Sequence, residues 1–188
     1  MAIFTERNPK WINWIAPEQF NDYDLFRIVT FFVFHSPCSE LSAMSKTLKE
    51  YGWLTPWRKP YYLNCQLKQA ASNYELIFSA KGYDEMDAAL DKAGFKDDFP
   101  SDFTSEKICI YNNQGNQFMS AFYHLRNSFA HGRFNIVDVN GECVFIMEDV
   151  KPNKKKDKVK VSARMILRKN TLLKWIKLIE NGEREYNE

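Results

Sequence analysis

The chain has 188 residues, of which 45% are hydrophobic and 27% are charged. This composition is that of a globular domain with a core of its own, and it excludes a collagen-like or intrinsically disordered chain. The formal net charge is only +2, but residues 151–177 carry 11 lysines and arginines against 1 acidic residue. Such a segment favours contact with a polyanion, although a solvated surface has the same composition.

Short apolar stretches and scattered cysteines indicate a cytoplasmic protein. The longest apolar stretch, residues 28–34, contains Thr30 and is far below the roughly 18 residues that a membrane span needs. Residues 1–14 lack the basic and then apolar regions of a secretory signal. The 4 cysteines lie far apart, and they and the 3 histidines have no metal-ligand spacing. We therefore expect no membrane contact, no metal and no cofactor.

The chain begins with a predicted arm, which two helices follow. Residues 1–20 contain two prolines and two tryptophans, which predicts an arm that docks on the domain. From Asp22 or Asp24 onward, apolar residues recur at spacings of three and four, which predicts the first helix. A serine that can serve as N-cap and a glycine that can serve as stop predict a second helix over residues 39–52.

The next segment predicts a loop, two further helices and a connection. Residues 53–60 contain two prolines and two tryptophans, and so predict a structured loop. A long helix is expected over residues 61–81, and a shorter one over residues 84–93, where a glycine follows. Residues 96–110 are acidic and are expected to be mostly a connection.

The most informative predicted helix spans residues 116–130 and is stopped by a glycine. One side of its helical wheel carries His124, Asn127 and His131, with Arg126 at the flank. We expect this polar side to face away from the core. The opposite side is an apolar stripe for the core, formed by Phe118, Phe122, Leu125 and Phe129.

The apolar period changes from 3.6 to 2 after this helix. Residues 133–149 alternate on both sides of Asn140-Gly141, which predicts a hairpin with a type I′ turn. Alternation over residues 159–167 predicts a third strand, and residues 170–181 predict a last amphipathic helix. We therefore expect one domain of mainly α-helical class, with a small antiparallel insertion over residues 133–167 before the last helix.

The sequence HLRNSFAHGRF, residues 124–134, contains the residue types that metal-free RNA cleavage needs. Such cleavage uses the RNA's own 2′-hydroxyl as nucleophile. A histidine such as His131 exchanges protons near neutral pH. An arginine such as Arg126 binds phosphate oxygens with a two-pronged guanidinium and neutralises their charge.

This stretch resembles the end of the catalytic helix in the HEPN superfamily, the higher eukaryotes and prokaryotes nucleotide-binding domain. Arg126 matches the family's arginine, Asn127 its polar second position and His131 its histidine. The resemblance to small prokaryotic HEPN proteins implies a helical bundle, a metal-independent endoribonuclease, a homodimer and a toxin or antiphage role. It also implies an antitoxin or nucleotidyltransferase partner. Some members add a polar residue from an earlier helix, for which the open candidates are Asp22, Asp24 and Glu75.

Arg126 and His131 lie about 140° apart on a straight helix, so they do not easily reach one phosphate in one monomer. Either the end of the helix near Gly132 swings His131 inward, or a second subunit supplies the partner group. We expect Arg133 and the lysine loop, Lys154, Lys155 and Lys156, to bind the RNA substrate. We expect His124 to contact either the substrate or the second subunit. The alternative is a non-catalytic HEPN-like module for dimeric interaction or nucleotide binding, in which His131 only complements the helix dipole.

Overall fold

The computed structural model describes residues 6–7, 22–38, 42, 44–58, 62–71, 73, 75–96, 103–152 and 159–183. The helices in this part of the chain are α1 (Tyr23–Thr30), α2 (Tyr62–Ala70), α3 (Met86–Ala93), α4 (Gln117–Ala130) and α5 (Lys169–Asn181). A π-helical turn, Phe31–His35, continues α1. The strands are β1 (Glu6–Arg7), β2 (Ile77–Ala80), β3 (Lys107–Tyr111), β4 (Phe134–Val139), β5 (Glu142–Pro152) and β6 (Val159–Arg168).

The strands form one mixed sheet in the order β2-β3-β6-β5-β4, and β1 pairs with the beginning of β6. The β2–β3 pair is parallel and the other pairs are antiparallel. The expected mainly α-helical bundle with a small β insertion is therefore wrong, because the sheet forms the centre of a mixed α/β fold. Strands β2 and β3 lie in segments whose short apolar runs are equally consistent with a buried helix or a connection.

The predicted long helix ends early because Asn73 turns the chain. Helix α2 stops at Ala70, and the Asn73 side chain then donates to the Glu106 carbonyl oxygen at 2.7 Å and accepts from the Glu75 amide at 3.0 Å. The following residues extend along β3, where Ile77 is paired with Ile108. Residues 77–80 of the predicted helix are thus a parallel strand.

The predicted second helix is reduced to one turn in its described part. Thr47 and Glu50 cap each other: the Glu50 carboxylate accepts from the Thr47 amide at 2.7 Å, and the Thr47 hydroxyl accepts from the Glu50 amide at 3.3 Å. The Trp53 amide already closes the turn on the Leu48 carbonyl at 2.9 Å, and Gly52 has a φ of 91°. A start signal and a stop signal this close leave room for a single turn.

Helices cover both faces of the sheet. Helices α1, α2, α4 and α5 pack on one face, against inward side chains such as Phe145 and Met147, while α3 packs on the other, against Val144 and Ile146. Adjacent residues of β5 thus alternate between two cores. An irregularity in β6 near Ser162 shifts the register with β5.

Several predicted elements are confirmed. Helix α1 begins after Asp22, α3 ends before Gly94 in a left-handed conformation, and α4 and α5 occupy the expected segments. The β4–β5 hairpin turns at Asn140-Gly141, whose φ angles are 55° and 81°. Apart from β1, the predicted N-terminal arm lies outside the described residues. Within the described ranges, no helix is long and apolar enough to cross a membrane.

Candidate functional site at the end of helix α4

Aromatic contacts hold the C-terminal end of α4. Phe129 stacks on Phe32 of the π-helical turn, with ring centroids 5.8 Å apart, and meets Phe145 of β5 edge to face at 5.7 Å. The helix closes at His131, whose backbone N–H donates to the Asn127 carbonyl at 3.0 Å, and Gly132 follows with a φ of 62°. The last turn of α4 is therefore a rigid platform between the sheet and the π-helical turn.

The polar side of α4 is partly buried, contrary to the prediction that it faces away from the core. His124 is only 1% exposed, since it packs under β5 and β3. Its Nδ1 lies 2.7 Å from a carboxylate oxygen of Asp149, and its Nε2 lies 2.8 Å from the Tyr111 carbonyl oxygen. Nε2 donates to the carbonyl oxygen, and Nδ1 shares a hydrogen with the carboxyl group of Asp149, so both ring nitrogens are satisfied inside the fold. His124 is thus a structural partner of Asp149 rather than a group accessible to substrate.

A chain of hydrogen bonds leads from this buried pair to Arg126. The same Asp149 oxygen accepts from the Asn127 amide nitrogen at 3.2 Å. The Asn127 amide oxygen in turn accepts from the Arg126 guanidinium at 3.1 Å. Asp149 thereby sets which way the Asn127 amide points, and Asn127 orients the partly exposed Arg126.

Arg126 also lies close to the segment that follows the π-helical turn. Burial raises the pKa of the Cys38 thiol to about 11, while a hydrogen bond from Ser36 and the positive charge of Arg126 partly oppose that rise. Cys38 is itself in contact with the Met119 carbonyl on α4. The guanidinium is therefore flanked by this segment on one side and by β5 on the other.

His131 is exposed at the end of α4. Within the described part of the chain, its side chain has no hydrogen-bond partner. The structure thus brings Arg126 and Asn127 into direct contact and places His131 just beyond them, open to solvent.

Of the other predicted substrate-binding residues, Arg133 already forms an ion pair within the fold, and the three lysines lie outside the described residues. The Arg133 guanidinium lies 3.5 Å from the Glu148 carboxylate, which is buried and also receives a hydrogen bond from Arg164 at 3.0 Å. Burial raises the pKa of Glu148, and the positive charges of Arg164 and Arg133 oppose this rise. Arg133 is thus committed to an internal ion-pair network. Lys154, Lys155 and Lys156 lie outside the described residues.

The acidic residue that reaches the motif is Asp149, which the sequence analysis missed. Of the open candidates, Asp22 caps α1 and binds Lys169 at 2.8 Å, Asp24 lies 3.7 Å from Lys169, and Glu75 is exposed beyond α2. One signal could have revealed Asp149. It follows Met147 by two positions on the inward face of a predicted strand, and a charged side chain at an inward position needs a buried partner.

The arrangement can bind a phosphate and exchange a proton with a ligand at the helix end. Arg126 supplies an oriented cation, and His131 supplies a titratable group in the last turn. Among the described residues, no three His, Cys, Asp or Glu side chains are grouped so that they could hold a metal ion. Neither a protein-family model, nor a curated protein, nor a solved structure matches this chain.

Proposed function

We propose that this protein is a metal-independent endoribonuclease whose catalytic residues are Arg126 and His131, with Asn127 as a positioning residue. The observation that carries the proposal is the hydrogen-bonded chain from His124 through Asp149 and Asn127 to Arg126. Through this chain, a buried hydrogen-bonded pair fixes the Asn127 amide and with it the Arg126 guanidinium, on the helix that ends at the exposed His131. The HEPN-like sequence of the helix end supports the same activity. That support comes from the local motif alone, since the mixed sheet differs from the expected bundle.

The reaction is an attack of the RNA 2′-oxygen on the adjacent phosphorus. Neutral His131 accepts the 2′-hydroxyl proton as the new bond between the 2′-oxygen and phosphorus forms. The Arg126 guanidinium binds the non-bridging phosphate oxygens and stabilises the charge that develops on them. The bond from phosphorus to the 5′-oxygen breaks, and an imidazolium donates a proton to that leaving oxygen. The products are a 2′,3′-cyclic phosphate and a 5′-hydroxyl.

A homodimer completes this site, because one step needs a base and the other an acid. One side of α4 carries a stripe of partly exposed residues at helical spacing, Met119, Tyr123, Arg126 and Asn127, which ends at the exposed Ala130. Two such stripes that face each other bring two copies of His131 and Arg126 to one cleft. The second copy also removes the separation of about 140° between Arg126 and His131 within one helix.

The cellular role follows from the same proposal. An RNA-cleaving enzyme in the cytoplasm needs control, which fits the toxin or antiphage role that the HEPN resemblance implies. An antitoxin or a nucleotidyltransferase is the expected partner for such control. The lysine loop, Lys154 to Lys156, would add affinity for RNA without taking part in the chemistry.

The test is incubation of the purified protein with total RNA in excess EDTA. We expect cleavage that persists in EDTA and leaves 2′,3′-cyclic phosphate ends. His131→Ala should lower the rate by about 10² to 10⁴-fold, as is typical of lost general acid and base catalysis. The half-buried His35, replaced by Ala, is the matched control and should cleave like the wild type. Cleavage that EDTA abolishes, or products with 5′-phosphates, would exclude this mechanism. RNA binding without cleavage would favour the alternative function, a non-catalytic HEPN-like module.

A further inference from the structure

The basic segment, residues 151–177, divides into paired and unpaired cations. Arg164 is buried against Glu148, Arg168 lies 3.0 Å from Glu142, and Lys169 lies 2.8 Å from Asp22. By contrast, Lys174 and Lys177 have no salt-bridge partner in the described ranges and are exposed on α5. Of the positive charge that the sequence concentrates here, these two ammonium groups are therefore available to an external ligand.

Both lysines line a cleft of about 470 Å³ between α2 and α5. On the α5 wall, Lys174, Lys177 and Asn181 follow at spacings of three and four and share one face of the helix. On the α2 wall, Gln66 and Gln69 lie opposite them. None of the described lining residues is acidic. Two cations in a concave wall without carboxylates concentrate positive potential inside the cleft.

The walls of the cleft are held in place by the core beneath them. The indole N–H of Trp175 on α5 donates to the Leu67 carbonyl of α2 at 2.8 Å, and both residues are fully buried. The cleft is therefore already formed before a ligand binds, which lowers the entropy cost of binding.

The amide groups narrow the ligand class. The Gln66 side-chain oxygen is buried and has no hydrogen-bond partner among the described residues, which is costly unless a donor reaches it. A strand of RNA offers phosphate oxygens for the lysines, and donors and acceptors on its base edges for the amides. An acidic peptide would offer carboxylates to the lysines and backbone groups to the amides, and it is therefore the competing ligand in the test.

We infer that the cleft between α2 and α5 binds the phosphodiester backbone of single-stranded RNA, as a second contact of the substrate away from Arg126 and His131. The inference rests on the proposed function only in taking RNA as the substrate. Binding can be measured without cleavage, so the two can fail separately.

The test is fluorescence anisotropy with a fluorescein-labelled 12-nucleotide RNA that is fully 2′-O-methylated and so resists cleavage. Wild type is compared with the double variant Lys174→Gln and Lys177→Gln over a series of salt concentrations. Loss of two phosphate contacts should reduce the slope of log affinity against log salt by about 1.4. Between 50 and 200 mM salt, the wild type should then lose about sevenfold more affinity than the variant.

Three controls assign the outcome. The variant Lys49→Gln with Lys81→Gln loses the same charge from exposed lysines elsewhere, and its salt slope should equal that of the wild type. Arg58→Ala, which removes an exposed cation outside both sites, should bind the probe like the wild type. An unchanged slope for the α5 double variant overturns the inference. A 12-residue glutamate peptide that binds the cleft more tightly than the RNA also overturns it, and assigns the cleft to an acidic protein.

Discussion

The imidazole of His124 lies 2.7 Å from the carboxylate of Asp149, which is 25 residues further along the chain. This contact joins α4 to β5 and is almost closed to solvent, since the two side chains are 1% and 6% exposed. Because Asp149 also accepts from Asn127, one carboxylate both anchors the helix and orients the residue beside Arg126. Stability and the geometry of the candidate site therefore depend on the same pair.

Removing His124 alone should destabilise the fold strongly. His124→Ala leaves the buried Asp149 side chain without its hydrogen-bond partner at 2.7 Å, a change that typically costs about 1 to 3 kcal/mol. Urea unfolding followed by circular dichroism measures the loss. His35→Ala is the control, because it removes a half-buried imidazole without stranding a charge, and it should stay close to the wild type. A loss below about 1 kcal/mol for His124→Ala would show that the fold does not depend on the hydrogen bond between His124 and Asp149.

Replacing both members of the pair separates stability from positioning. In the double variant His124→Leu and Asp149→Leu no charge is left buried, so most of the stability should return. Cleavage of RNA should stay about 10- to 100-fold low, because the Asn127 amide has lost its acceptor and no longer orients Arg126. Rates and unfolding free energies are compared on the same preparations. Full recovery of the rate along with stability would mean that Asp149 has no positioning role.

Protonation of Glu106 should make the free energy of unfolding depend on pH. This buried carboxylate accepts from the Arg168 amide at 2.7 Å and from the Thr171 hydroxyl at 2.9 Å. Burial raises the pKa of Glu106 in the folded state, while these two hydrogen bonds partly oppose the rise. The folded state therefore binds a proton more readily than the unfolded chain, and this group's contribution to stability increases as pH falls through the raised pKa.

The pH effect is measured by urea unfolding at pH 7.5 and pH 5.0. The free energy of unfolding of the wild type, relative to that of Glu106→Gln, should increase on going to pH 5.0. Glu75→Gln changes an exposed carboxylate and serves as the control, with a difference that stays nearly constant. A difference between wild type and Glu106→Gln that does not change with pH would contradict the raised pKa.

Gly182 should tolerate no side chain. It has a φ of 71°, and a Cβ atom there would clash with the Tyr51 carbonyl oxygen and lie 3.3 Å from the Gly52 Cα. Gly182→Ala should therefore cost several kcal/mol. Gly132→Ala is the matched control, because Gly132 has a φ of 62° but nothing within 4 Å of the added atom. That variant should lose only the roughly 1 to 2 kcal/mol of the left-handed conformation, so equal losses would exclude the clash.

Local signals explain which parts of the fold could be predicted. The β4–β5 hairpin depends on Asn140-Gly141, and α4 depends on an asparagine N-cap and a terminal glycine, all of which act within a few residues. The pairing of β2 with β3 instead joins Ile77 to Ile108, and no local pattern specifies that partner. The central sheet could not be predicted from the sequence because its strand pairs join residues that are far apart along the chain.

The same distinction applies to the candidate site. Arg126, Asn127 and His131 stand within one motif and could be recognised together. Asp149 lies on β5, far from the motif in sequence. The helical wheel of α4 predicts one buried face, whereas the structure also buries His124 on a second face, under β5. The wheel alone therefore places His124 among the residues open to a ligand or a second subunit, whereas the structure buries it against Asp149.

The guanidinium of Arg126 should be required as a planar, two-pronged donor and not only as a charge. Arg126→Ala should lower RNA cleavage about as much as loss of His131, whereas Arg126→Lys keeps the charge but loses the bidentate geometry and should recover only part of the rate. The rate is measured on a short RNA in EDTA, with product ends identified by mass spectrometry. Arg58→Ala, which removes an exposed arginine outside the site, is the control.

The same RNA with a 2′-O-methyl group at the cleaved position should resist, because the nucleophile is blocked. If Arg126→Lys cleaves as fast as the wild type, a point charge is sufficient and the hydrogen bond from Arg126 to Asn127 is not what positions it.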